Sequence, residues 1–194
     1  MDEIEKMLAG KWYDANFCEE LIALRQQAEE LCFQYNGCNP KDQEKKREIL
    51  GKLLPHAAKD VVILPSFYTD YGWNCFIGQA CFFNHGAYLM DGAKITIGDH
   101  CFFGPNCGFY TASHPLLPSE RNAGYEKAKP ITIGNNVWFG ASVIVLPGVT
   151  IGDNCVIGAG SVVTKAIPAN TLAMGNPCRP VRLINEKDHI DLEQ

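Results

Sequence analysis

The sequence predicts a mainly β fold: a solenoid of short strands joined by sharp turns. A helical segment precedes it, and one loop is extruded from it near residues 110–130. Three observations predict this. An apolar residue recurs every six positions along most of the chain. A glycine follows most of those apolar residues. Between Phe109 and Ile133 the repeat stops and a polar stretch replaces it.

The helical segment comes first. "NFCEELIALRQQAEELCFQYNG" sets Leu21, Leu24, Ala28, Leu31 and Tyr35 three or four apart, the spacing of one helix face. Asn16 with Glu19 reads as a capping box with Asn in the leading place, and Gly37 as the stop. Asn39-Pro40 opens a second helix running to about Leu54, with Ile49, Leu50, Leu53 and Leu54 on one side. The plain task of these helices is to cap the solenoid's open end. A second use, over a substrate pocket, stays open.

The repeat is clearest from Ile133 onward. Steps of six reach Phe139, Val145, Ile151, Ile157 and Val163, all apolar. Gly134, Gly140, Gly152 and Gly158 follow four of these stops. Four past each stop come Val137, Val143, Val149, Cys155 and Ser161, small or β-branched. The frame returns upstream at Ile97-Gly98, Phe103-Gly104, Ile77-Gly78, Phe83-Asn84 and Leu89-Met90. Neither a helix nor simple strand alternation has this period. Three such units make a triangular turn, and stacked turns bury a continuous aliphatic column. Glycine fits where backbones approach closely or φ is positive.

The nine cysteines follow from the same frame. Cys75, Cys81, Cys101, Cys107 and Cys155 occupy the small-residue column, where Cys serves as a compact core residue. The odd count and the absence of a C-x-x-C pair argue against a disulfide framework and against a zinc site of ordinary spacing.

"YTASHPLLPSERNAGYEKAKP" is too long and polar for the coil and must leave it as a loop. Long loops in compact domains are usually functional or disordered. His114 sits where coil gives way to loop, a sound place for a general base on a rigid support. By its own neighbourhood alone, a lone loop histidine is usually only solvated. After residue 175, "GNPCRPVRLINEKDHIDLEQ" breaks the period with prolines and ends in a polar tail.

Composition removes several classes. A net charge of −5 favours neither nucleic acid nor an anionic membrane. No apolar run approaches the roughly 20 residues of a membrane span. The acidic start "MDEIEKMLAGKW" lacks a signal peptide's apolar region, so the chain reads as cytoplasmic.

The six-residue pattern resembles the hexapeptide-repeat, left-handed parallel β-helix. "LAGKWYDA", "DYGWNCFIG", "FFNHGAYLMD", "TASHP", "RNAGYEKAKPITIGNNVWFG", "PGVTIGDNCVIGAGSVVTK" and "GNPCRPVR" together resemble the maltose and galactoside O-acetyltransferases among the hexapeptide-repeat acyltransferases. The resemblance runs through nearly the whole chain. It implies a helical cap of maltose acetyltransferase type at 1–58, a β-helix domain at 59–183 and a tail at 184–194. It implies a homotrimer with sites between subunits, acetyl-CoA as co-substrate, a sugar hydroxyl as acceptor, and no metal.

The resemblance also assigns residues. His114 would be the general base, with no covalent enzyme intermediate. The backbone N–H of Ala141, where the family often has Ser, would hold the oxyanion. Ala141 and Ala159 would touch coenzyme A along the coil, with Thr164 and Lys165 at its end. Arg179 and Arg182 would meet the nucleotide phosphates. For the acceptor it implies Asn84, Asp70, Asp91, Asn16 and Glu126. Asp70 stands where galactoside enzymes have Ser and fits the maltose type better. Asp91 matches the first of two adjacent acidic positions, and the second is Gly92 here. Asp14 competes with Asn16. Glu126 would orient His114 or line the pocket.

Three rivals stay open. A γ-type carbonic anhydrase shares this solenoid but binds zinc through three histidines, and here His85, His100 and His114 are scattered. An acyltransferase for a non-sugar acceptor would keep the base and the coenzyme groove. A non-catalytic scaffold would keep only the fold.

Overall fold

The structure, a computed structural model, describes residues 1–191. The last part of the polar tail lies outside the described residues. Three parallel faces form a solenoid. The first face stacks His56–Ala57, Cys75–Ile77, Ile95–Ile97, Ile131–Ile133 and Thr150–Ile151. The second stacks Val62–Ile63, Phe82–Phe83, Phe102–Phe103, Trp138–Phe139, Val156–Ile157 and Thr171–Gly175. Cys178–Leu183 closes that second face antiparallel. The third stacks Phe67–Thr69, Ala87–Met90, Gly108–Tyr110, Ile144–Val145 and Val162–Val163. This is a parallel β-helix of about six turns, as the six-residue period predicts.

The register explains the period. Ile77, Ile97, Ile133 and Ile151 stack in one column of the first face, and Phe83, Phe103, Phe139 and Ile157 in one column of the second. All are buried. The rings of Phe83 and Phe103 stack at 4.5 Å, and Phe139 meets Phe103 edge-on at 5.0 Å. The small-residue column is buried too. Cys81 Sγ donates to the Gly98 carbonyl at 3.1 Å and Cys101 Sγ to Gly134 at 3.2 Å. Burial beside backbone carbonyls is the use these thiols have.

Glycine after the apolar stop is required by close approach, and not by positive φ. A Cβ on Gly98 would lie 2.8 Å from the Gly134 backbone. The positive φ falls two residues later, at Ala80, His100, Asn136 and Asn154 on one corner, and at Asn106 and Ser142 on the next. Asn tolerates that region through local hydrogen bonding. His100 is therefore a turn residue.

Three helices precede the solenoid. α1 (Glu3–Leu8) was not expected from apolar spacing; Asp2 and Glu5 form its capping box. α2 (Glu19–Asn36) starts from Cys18 with no side-chain cap, so Asn16 and Glu19 do not form the expected box. The reason is the turn before it: Asp14 Oδ1 accepts from the Asn16 and Phe17 N–H groups and sets the chain's direction there. α3 (Gln43–Leu53) starts from Asp42, whose side chain accepts from Lys45 N, rather than from Asn39-Pro40. α2 and α3 bury Ala28, Cys32, Tyr35, Ile49 and Leu53 in the same core as the first coils. No helix among the described residues is long and apolar enough to cross a membrane.

The extruded segment is structured. Ala112–Ser113 pairs antiparallel with Tyr125–Ala128, and that strand pairs in turn with Tyr13–Asp14 from the N-terminal segment. A short helix, α4 (Pro118–Asn122), spans the tip. The expectation of a plain loop missed this because two of its strands are short and the third comes from beyond the segment.

Candidate active site

The three-stranded arm fixes His114. Its Nδ1 lies 3.1 Å from the Tyr125 carbonyl. A carbonyl only accepts, so Nδ1 carries the hydrogen and Nε2 of the neutral ring keeps a free lone pair. That Nε2 stands 3.7 Å from Glu126 Oε2. His114 is 45% exposed and Glu126 only 17%, so the pair is open on the histidine side. The cross-strand neighbour of Glu126 is Tyr13, fully buried, whose hydroxyl donates to Glu126 Oε1. Burial first, then the Glu126 charge, push the Tyr13 phenol well above its ordinary range, so it stays a donor.

Asp70 follows the strand Phe67–Thr69 and accepts from the Tyr88 hydroxyl. Burial pushes its carboxyl up to about 6, against the lowering effect of that hydrogen bond. It lines a cavity of about 430 Å³ together with Arg25, Glu29, Cys32, Tyr68, Thr69 and Tyr88. α2 supplies Arg25, Glu29 and Cys32, so a cap helix forms one wall of that cavity.

Asp91 lies behind Asp70, inside the turn. Its side chain is fully buried. Oδ1 accepts from Thr69 Oγ1 and Tyr71 N, both at 2.8 Å, and Oδ2 from Asn74 N at 3.2 Å. These bonds hold the turn 69–74 that carries Asp70. Its neighbour Gly92, where a second acid was expected, faces the arm. A Cβ there would stand 3.2 Å from the Tyr13 hydroxyl and 3.4 Å from Glu126 Oε1. The Glu126 carboxylate thus occupies space that a side chain at 92 would enter.

Asn84, Ala141 and Ala159 lie on the corner between the second and third faces, Ala141 and Ala159 stacked in one column and Asn84 one position earlier in its own coil. Asn84 Oδ1 accepts from His85 N, and its NH2 group donates to nothing among the described residues. The N–H groups of Ala141 and Ala159 donate to nothing among the described residues, while the Ala141 carbonyl accepts from Gly160 N at 2.8 Å. His114 leaves from the opposite edge of the third face. One chain therefore does not bring His114 together with this corner.

Thr164 and Lys165 are exposed at the last turn of the third face. Arg179 is exposed; its Nη1 donates to its neighbour's carbonyl at 2.8 Å. Arg182 is engaged: its guanidinium meets Asp188 through two hydrogen bonds of 2.8 and 2.6 Å. Asn16 is exposed at the start of α2, whereas Asp14 is half-buried in its turn. Among the described residues, no three His, Cys, Asp or Glu side chains gather to hold a metal.

Comparison with known proteins agrees with this architecture. Residues 6–58 match the maltose acetyltransferase hexapeptide capping motif. Residues 94–111 match the hexapeptide repeat of succinyl-transferase, and 130–165 the bacterial transferase hexapeptide. A Staphylococcus aureus relative named as an acetyltransferase is 55% identical over 187 residues, covering 96% of this chain and 94% of its own. The crystal structure of a maltose O-acetyltransferase from Clostridium difficile 630 superposes with a TM-score of 0.92. It is 45% identical and covers 96% of this chain and 99% of that one. The chain belongs to the maltose/galactoside O-acetyltransferase family. It is an acetyltransferase. A galactoside acetyltransferase in complex with coenzyme A is also similar, with a TM-score of 0.89 and 38% identity over 97% of this chain and 94% of that one.

Two site residues escaped the sequence. Tyr13 lies in "KWYDA", quoted for its resemblance to the maltose/galactoside acetyltransferases but given no role. Tyr88 lies in a coil strand whose outward positions carry no periodic signal. Both act as hydrogen-bond donors to acidic residues that the sequence did single out.

Proposed function

We propose that this acetyltransferase moves acetyl from acetyl-CoA to a hydroxyl of a simple sugar, of glucose, maltose or galactoside type. The transfer is direct, with His114 as general base. The observation that carries the reading is the His114 Nδ1 bond to the Tyr125 carbonyl, which leaves Nε2 as the basic nitrogen on the open side. The acceptor hydroxyl gives its proton to Nε2 as its oxygen bonds to the acetyl carbon. The C–S bond then breaks, and the imidazolium returns the proton to the leaving thiolate. The Ala141 N–H, free of any partner within the described residues, is suited to the oxyanion.

The stacked free N–H groups of Ala141 and Ala159 support a coenzyme groove along that corner, with Thr164, Lys165 and Arg179 beyond it. Because His114 and this corner lie on opposite edges of one chain, the reading needs a second copy, as in a homotrimer. The outward Phe102 and Trp138 of the second face, both more than half exposed, supply an apolar surface for such packing. Asp70, Asn84 and Glu126 serve the acceptor, and Asp91 acts through the turn that carries Asp70.

The test is acetyl transfer from acetyl-CoA to glucose, maltose and galactosides, detected as acetyl sugar by mass, with His114→Ala alongside. Loss of a general base should cost about 10²–10⁴ in rate. Undiminished transfer by the variant would remove His114 from the role.

A further inference from the structure

We infer that the acceptor presents two neighbouring hydroxyls, one to His114 and one to Glu126, and that Tyr13 is a positioning residue that aims the Glu126 carboxylate. This inference rests on the sugar reading above and adds how the acceptor is gripped.

The argument starts from hydrogen-bond capacity. Nε2 of His114 is a lone-pair acceptor, because Nδ1 holds the ring's hydrogen against Tyr125. Glu126 Oε2, 3.7 Å away, is also an acceptor. In the neutral ring, two acceptors face each other with no hydrogen between them. A single hydroxyl has one hydrogen and serves only one of them. A second O–H, one or two carbons along the same molecule, serves the other. A polyol of this kind satisfies both at once. Glu126 then selects which hydroxyl reaches Nε2, and its charge faces the imidazolium once the proton has moved.

Glu126 is held for this task from its far side. Its Oε1 takes the hydrogen of Tyr13, a residue with no exposure of its own. Tyr13 and Glu126 are paired across the antiparallel ladder, so backbone register brings them together. Gly92 leaves room for the Tyr13 hydroxyl, since a Cβ there would stand only 3.2 Å from it. With Oε1 occupied, Oε2 is the oxygen left for the acceptor. Tyr13 touches no reacting atom; it acts only through Glu126.

The experiment measures kcat/KM for glucose and for each monodeoxy-glucose, with glucosamine and cyclohexylamine as amine probes. The proteins are wild type, Tyr13→Phe and Glu126→Gln. In the wild type, removing one hydroxyl near the acetylated carbon should cost roughly 10- to 100-fold, the scale of a hydrogen bond to a charged group. That penalty should shrink in Glu126→Gln. Tyr13→Phe should lower kcat/KM for glucose and leave that deoxy sugar's value unchanged. A merely structural defect would lower both alike. If Tyr13→Phe does not fold, the Glu126→Gln comparison decides. Equal use of every deoxy sugar that keeps the acetylated hydroxyl would overturn this inference alone. Faster transfer to an amine nitrogen would overturn it as well, because one amine can donate to both acceptors by itself. No transfer to any sugar would overturn the sugar reading instead.

Discussion

Gly140→Ala tests whether close backbone approach is what glycine supplies at the coil corners. A Cβ at 140 would lie 2.6 Å from Ala159 N and 2.9 Å from Ala159 Cα, where ordinary contact begins near 3.4 Å. The obstacle is backbone, so neighbouring coils must separate by about 0.8 Å. Two interstrand bonds flank the spot, Gly140 N to Ile157 O and Gly160 N to Ala141 O, each 2.8 Å. Overpacking costs about 1–3 kcal/mol, and weakening these bonds adds a fraction of about 0.5–1.5 kcal/mol each. The reduced entropy of an unfolded Ala returns about 0.4–1 kcal/mol. The expected net loss is therefore about 2–3 kcal/mol by urea unfolding. Coenzyme A binding, measured by calorimetry, should weaken with it, because Ala141 and Ala159 move. Gly51→Ala is the control: it lies inside α3 with nothing within 4 Å of its Cβ, and should gain about 1 kcal/mol. A Gly140→Ala protein as stable as the wild type would refute the packing argument.

Two further outcomes are expected. Phe103→Ala empties a site walled by Phe83, Phe109 and Phe139 and should cost about 3–5 kcal/mol in chemical unfolding, whereas Phe103→Leu should cost much less. Asp70 is raised from 3.8 to about 6 by burial, so the folded state holds its proton more tightly than the unfolded state. Its contribution is therefore full below pH 3.8 and is lost as pH rises through 6. Asp70→Asn should remove that decline, on the order of 2 kcal/mol after solvent screening. Melting curves at pH 5 and pH 7 should show it, and an unchanged pH dependence would count against a desolvated Asp70 carboxyl.

The solenoid was legible because its period is a direct image of its geometry. Each stop from Ile133 to Val163 points inward for the same reason, and one frame locates them all. The arm was legible only as an interruption. Its strands are two to four residues long, and one partner, Tyr13–Asp14, is about a hundred positions away, so local pattern could not announce the pairing. His114 stands out by position and resemblance alone; the bond that fixes its ring is to a backbone carbonyl, which no side-chain pattern encodes. That Asp91 binds the turn's own N–H groups was not legible, because an acid beside a turn looks the same in sequence whichever way it faces.

The way the arm leaves the coil has a consequence for chain entropy. Stacked corner residues are ordinarily 18 or 20 apart, as for Asn135 with Asp153 and Gln79 with Asp99. Across the arm, Asp99 and Asn135 are 36 apart, yet they make the same backbone-to-side-chain bond, at 2.8 Å. Doubling a loop adds only about 0.6 kcal/mol to its closure. Inserting the segment that carries His114 and Glu126 thus costs the scaffold little, and lengthening or exchanging it would cost little more. A coil of this kind can change the length and content of its arm while the turns beneath keep their register.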